Sequence, residues 1–238
     1  MTLIIAIPAK GAIVFGSDSQ VTTGAIRTTG ATKIRCLNDK ALWGASGELA
    51  VIQRVGEALE RHPRRDQPLQ VIRDELASLV KSEVEALLKL DFRTQFFNTS
   101  PNDLLQLHPA DFLFVEHRDS PRILHILHNG TPEWIGDGFA ATGNGDMFAH
   151  ALLSKYVELI PLDLQIAKLL CYKTIEEAIK VGAYGLGPPI HVWEAAVDGV
   201  TQQNEEQIAS LVDAAEILRD REVQLLQELT TSEPQQNA

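Results

Sequence analysis

The sequence predicts an α+β fold in which sheets are flanked by helices. Three observations lead there. Short β-branched runs bounded by Gly, Pro, Asn and Asp fill the start and the middle of the chain. Each group of strands is followed by two segments with apolar residues at helical spacing. A last hairpin is followed by one long amphipathic stretch. The chain has 238 residues, 45% of them apolar, enough for a substantial core. No stretch reads as a linker or a repeat. One domain over residues 1–230 is therefore expected, with 203–229 as its C-terminal helix and 231–238 as a flexible tail.

The elements follow in order. Leu3 to Ile7 is a β-branched run that ends at Pro8; Ala9-Lys10-Gly11 turns the chain into Ala12 to Phe15, closed by Gly16-Ser17-Asp18. Both runs are apolar on both faces, which predicts strands buried on both sides. Lys33 to Leu37 and Ala41 to Ala45 form a hairpin with Asn38-Asp39 at the turn. From Glu48, the residues Leu49, Ile52, Val55 and Leu59 keep helical spacing as far as Pro63. A second helix starts near Pro68 and carries Leu69, Ile72, Leu76, Leu79, Val80, Leu87 and Leu88 on one face. Residues 91–109, with Asn98, Pro101, Asn102 and Pro109, read as irregular. Strands return at Phe112 to Glu116 and Ile123 to Leu127, on either side of Asp119-Ser120-Pro121. Gly143-Asn144-Gly145 opens a helix through Tyr156, and Asp163 is the N-cap of the next, which carries Ile166, Leu169, Leu170 and Ile175. Ile190 to Trp193 and Val197 to Val200 form the last hairpin around Asp198-Gly199. Ile208, Leu211, Val212, Ala215, Leu218, Leu225, Leu226 and Leu229 mark the final helix.

Composition narrows the function. The net charge is −11, which argues against nucleic acid or an anionic membrane as partner, since both need basic patches. The two cysteines, Cys36 and Cys171, predict no disulfide framework, a reducing compartment, and two thiols in the core. The N-terminal run has no charged region before it and does not read as a signal peptide. No apolar stretch reaches the length of a membrane span. A cytoplasmic location is expected. His125 and His128 have a metal-like spacing, but on a strand residues three apart face opposite sides. Gly143-Asn144-Gly145 is not followed by the residues of a phosphate loop. No metal and no cofactor are expected.

Thr2 is the candidate nucleophile. A threonine hydroxyl needs a base beside it. If Met1 is removed, as is common before a small residue, Thr2 carries that base as its own α-amine, whose ordinary pKa of about 7.7–8.0 leaves part of it neutral at cellular pH.

The neighbouring segments carry a resemblance. Gly16-Ser17-Asp18-Ser19-Gln20-Val21-Thr22-Thr23-Gly24, Thr32-Lys33-Ile34-Arg35 with Asn38-Asp39-Lys40, and Gly44-Ala45-Ser46-Gly47 before a helix resemble proteasome β subunits and the bacterial HslV peptidase. The Met-Thr-x-Ile start resembles HslV in particular, and the likeness is strongest over residues 2–60. It implies a four-layer αββα N-terminal-nucleophile (Ntn) hydrolase sandwich, two antiparallel sheets between helix layers, to which the last helix is an addition. It implies a threonine-type endopeptidase acting on peptides or unfolded protein, in a homo-oligomeric ring with an ATP-dependent unfoldase as partner. By resemblance Thr2 attacks, Lys33 lowers the pKa of its hydroxyl, Asp18 pairs with Lys33, the Gly47 N–H receives the oxyanion, and Asn144 takes the place of a serine near the nucleophile's amine. Val21, Ala45 and Leu49 would line the first specificity pocket and favour apolar side chains.

One stretch departs from the family pattern. The aspartate and serine that usually precede the last hairpin are replaced by Gly182 and Gly185. Two other readings therefore stay open: a catalytically inactive structural subunit of the same fold, and an Ntn amidase acting on a small amide.

Overall fold

The computed structural model describes residues 2–23, 26–90, 110–136, 138–182 and 185–231. Strands β1 (Ile4–Ala9) and β2 (Ala12–Ser17) form an antiparallel hairpin, and a separate short hairpin follows from β3 (Val21–Thr23) and β4 (Ile26–Thr28). After β5 (Ile34–Asn38) and β6 (Ala41–Gly47) come helices α1 (Leu49–Glu60) and α2 (Leu69–Leu90). Strands β7 (Ala110–His117), β8 (Pro121–Ile126), β9 (Pro132–Ile135) and β10 (Ala140–Thr142) lead to α3 (Asp146–Leu153), a 3₁₀ turn over Ser154–Leu159, and α4 (Leu164–Lys180). Strands β11 (His191–Ala196) and β12 (Gly199–Gln202) precede α5 (Glu205–Thr231).

Ten of these strands make two antiparallel five-stranded sheets, β10-β1-β2-β11-β12 and β5-β6-β7-β8-β9. Three apolar layers show how they stack. Ile4, Ala6, Ile13 and Phe15 meet Leu42, Leu113 and Val115 between the sheets. Leu3, Ile5, Ile7 and Val14 point the other way, into α3, α4 and α5. Trp43, Ala45, Phe112 and Phe114 face α1 and α2. The order is helix, sheet, sheet, helix. It follows from the β1–β2 hairpin: a strand apolar on both faces needs a cover on each, and fully burying each Ile or Phe contributes about 1.5–3 kcal/mol.

Several boundaries differ from the sequence expectation, each for a physical reason. β1 does not stop at Pro8 but runs to Ala9, because β10 pairs only with Ile4 to Ala6 and leaves the rest of that edge open, where a proline is tolerated. β10 itself, Ala-Ala-Thr, has little strand propensity and exists through its pairing with β1. The helix opened by Gly143-Asn144-Gly145 ends at Leu153 and tightens into the 3₁₀ turn. The last hairpin turns at Val197-Asp198, with Gly199 already in β12. Asp163 caps α4 as expected, its carboxylate accepting from Gln165 N at 3.0 Å. The start of α2 is capped from afar: the buried Glu116 of β7 accepts from Leu69 N at 3.0 Å, an anion at a helix N-terminus. Cys171 is buried but Cys36 is exposed on β5, which corrects the expectation of two core thiols. The expectations for Met1, the segment 91–109 and the tail from 232 lie outside the described residues. Among the described residues, no helix is long and apolar enough to cross a membrane.

Gly16 shows how closely α4 lies on β2. A Cβ built there would sit 2.3 Å from Cys171 Sγ and 3.1 Å from Ile175 Cδ1. Gly16→Ala is therefore expected to destabilise the protein by about 1–3 kcal/mol, as overpacking does. Adding Cys171→Ala should recover part of the loss, which a double-mutant cycle on denaturant midpoints measures.

Candidate active site

The antiparallel register decides which residues meet. Ile4 is opposite Ser17 on one side and Thr142 on the other. The start of β1 therefore lies between the end of β2 and the end of β10. From the second sheet, Ser46 at the end of β6 joins them, its hydroxyl 2.8 Å from Thr142 Oγ1 in a buried contact. Residues far apart in sequence, Thr2, Asp18, Ser46 and Thr142, thus collect at one end of the two sheets.

Asp18 is fully buried and accepts four hydrogen bonds. Oδ1 takes Leu3 N at 3.0 Å and Lys33 Nζ at 2.7 Å; Oδ2 takes Gln20 N at 3.1 Å and Gly187 N at 3.2 Å. The Asp18 amide also donates to Leu3 O at 3.3 Å. Lys33, just before β5, has its side chain 6% exposed. Burial holds its ammonium below the ordinary range for lysine, while the charge of Asp18 and the bond to it act the other way. Because Leu3 N and Lys33 Nζ share one oxygen, the ammonium lies one carboxylate away from the peptide that joins Thr2 to Leu3.

Thr2 is buried. Its carbonyl accepts from Gly145 N at 3.4 Å, and the backbone of Gly143 passes so close that a Cβ there would lie 2.2 Å from Thr2 O. Gly143 also has φ +103, so only glycine fits on both counts. Asn144 sits between these two glycines in an exposed turn. Gly47 is the exposed last residue of β6, with φ +121. Glu48 after it is the N-cap of α1 and makes no side-chain capping bond, so the first amides of that helix point out of the site's floor uncapped by it. Val21 is half-buried in β3, Ala45 is buried under α1 and α2, and Leu49 is 44% exposed at the head of α1.

The stretch carrying Gly182 and Gly185 has its own logic. Gly182 follows α4 with φ +70, its N–H bonded to Ile179 O at 2.9 Å and open space where a Cβ would be; it is a helix-stop glycine. Residues 185–187 are pinned to the end of β2. Gln20 Nε2 donates to Gly185 O at 2.6 Å, Ser19 N to Gly187 O at 3.0 Å, and Gly187 N to Asp18. Sequence reasoning missed Gln20 and Gly187. The available signal was the Gly185-Leu186-Gly187 spacing, whose second glycine must be small because a Cβ would lie 2.4 Å from Gln20 Oε1.

No family model matches the chain, and no curated protein matches it. Among solved structures, an Anbu mutant from Hyphomicrobium sp. strain MC1 is similar over 100% of both chains, with a TM-score of 0.69 and 13% identity. The fold is the proteasome-like Ntn sandwich. At that identity the likeness speaks for the fold alone. It also corrects the assignment to the proteasome β-subunit and HslV family drawn from residues 2–60: the full-length likeness found is to Anbu, and those motifs match no family model. The reason is physical. A buried aspartate at the end of β2 and a glycine at the turn from β6 into α1 are demanded by this architecture, so they identify the architecture and not one branch of it.

Two outcomes follow from the ion pair. In Asp18→Asn one of the two carboxylate oxygens becomes an NH₂ that faces two N–H donors, whichever way the amide is turned. The expected cost is about 3–5 kcal/mol, as for breaking a buried pair, read as a lower denaturant midpoint. Lys33 binds its proton less tightly folded than unfolded, so the unfolded chain holds more protons between the lowered pKa and 10.5. Stability of the wild type relative to Lys33→Met should therefore rise as the pH is raised from neutrality through that window.

Proposed function

We propose that this chain is a threonine-type peptidase with Thr2 as nucleophile. The observation that carries the reading is Asp18, whose buried carboxylate holds the Lys33 ammonium and the Thr2–Leu3 peptide on the same oxygen. A cation kept beside the first peptide of the chain stabilises negative charge developing on the Thr2 hydroxyl.

In this mechanism removal of Met1 frees the α-amine. The amine takes the hydroxyl proton as Thr2 Oγ1 attacks the scissile carbonyl carbon. The Gly47 N–H and the neighbouring amides at the head of α1 receive the oxyanion; losing one such donor typically costs about 10²–10³ in rate. The amine then gives its proton to the leaving nitrogen as the C–N bond breaks and an ester to Thr2 remains. Water, deprotonated by the same amine, hydrolyses that ester. Asn144 belongs to the proposal as a polar side chain beside the turn that touches Thr2. Val21, Ala45 and Leu49 belong to it as an apolar pocket for the residue before the cut. Assembly into a ring with enclosed sites, peptides or unfolded chains as substrates, and an ATP-dependent unfoldase as partner complete the reading, by analogy with proteasome-like folds.

One observation favours a second reading, an inactive structural subunit: at Gly182 and Gly185 no side chain is available to orient the nucleophile, and at residues 185–187 only backbone reaches Asp18 and Gln20.

Intact mass before and after an epoxyketone, which bonds both the hydroxyl and the amine of an N-terminal threonine, separates the two. The expected result is loss of Met1 and a single adduct, absent from Thr2→Ala, together with faster cleavage of peptides bearing an apolar residue before the cut. A processed chain that takes no adduct would favour the structural subunit. A chain that keeps Met1 has no free amine on Thr2, and the peptidase mechanism fails for it.

A further inference from the structure

Helix α5 is longer than the body it packs on. Its first turns carry Leu211 and Ala215, 8% and 0% exposed, into the core beneath α4. Two ion pairs then tie it antiparallel to α4: Arg219 to Glu176 at 2.5 Å and Glu222 to Lys173 at 3.3 Å. Beyond Glu222 the cover ends. Leu225 is 46%, Leu226 64% and Leu229 71% exposed. These are not scattered surface leucines. Residues 211, 215, 218, 222, 225 and 229 step by four and three, so the exposed end continues the same stripe that the first half buries. On α4, Ile166 lies on the row 166, 169, 173, 176 that faces α5, and it too is 49% exposed. The subunit therefore carries two turns of apolar helix that its own fold leaves open, the kind of patch that marks an interface.

The residues beside the stripe say what fits it. Arg221 and Glu228 flank it on one side, seven residues apart, with Leu225 between them. Two such helix ends laid antiparallel about Leu225 and Leu226 would bring Arg221 of each copy to Glu228 of the other. The patch is complementary to itself, which is what a two-fold contact requires. An anionic membrane is disfavoured, because Asp220, Glu222 and Glu228 surround the same turns. We propose that the distal turns of α5, Val223 to Leu229, pair antiparallel with the same turns of a second copy of this chain in a two-fold contact. The inference goes beyond the peptidase reading and holds whether or not Thr2 is a nucleophile.

The test uses the full chain and no activity. In a Cys36→Ser background, which removes the exposed thiol and leaves only the buried Cys171, Leu226→Cys should form a disulfide-linked dimer on mild oxidation. Asp220→Cys, on the opposite side of the helix, should not. Leu225→Glu combined with Leu229→Glu should lower the mass measured by light scattering to half or less, with the far-UV circular dichroism unchanged. A monomeric wild type, no cross-link at 226, equal cross-linking at 220, or an unchanged mass in the double variant would each overturn the proposal.

Discussion

The candidate site hangs on one carboxylate. Asp18 has no exposure to water and is surrounded by donors from four places in the chain: the first peptide of β1, the turn after β2, the lysine before β5, and the loop before β11. An ionised carboxylate in such a place is tolerable only because every lone pair is engaged. The dependence runs both ways. Without the charge, the buried Lys33 ammonium and three inward-facing amides lose their common acceptor, and the segments they belong to lose what holds them at one point. The position of Thr2 relative to Lys33 is a by-product of this packing problem.

The layering supplies the rest. β1 and β2 are apolar on both faces and lie at the centre of their sheet, with α3, α4 and α5 on one side and the second sheet on the other. Their ends are consequently rigid. Gly143 and Gly145 close over Thr2 from β10, and Ser46 reaches Thr142 from the opposite sheet. Small residues let these backbones come together: a methyl group at 143 would collide with the Thr2 carbonyl.

What could be read from the sequence was whatever depends on local pattern. The doubly apolar hairpin, the helix pairs, the Asp163 cap and the long last helix are all periodicity or turn chemistry. The Asp18–Lys33 contact came from resemblance, and the structure pairs the two at 2.7 Å. Long-range contacts stayed hidden. Glu116 caps a helix that starts 47 residues before it. Ala140 to Thr142 becomes a strand only because β1 has a free edge there. The role of residues 185–187 depends on backbone groups, which leave no mark in a side-chain alphabet. Cys36 misled because cysteine is usually buried, whereas its place on β5 is decided by strand alternation. The finer family assignment failed for a related reason, since motifs that the architecture itself requires cannot separate its branches.

The turn between β1 and β2 bears on the site although it lies at the far end of the hairpin. It is two residues, Lys10 and Gly11, with Gly11 at φ +81. Its length sets which residue of β1 stands opposite which residue of β2. Side chains alternate along a strand, so a slip of one position turns the whole of β1 over. Leu3 would then face the space between the sheets, and Thr2 would turn toward the helices. A loop about 20 Å away at the usual rise per residue thus acts as the gauge that sets the site. Changes in its length would reach the chemistry without touching any residue near it.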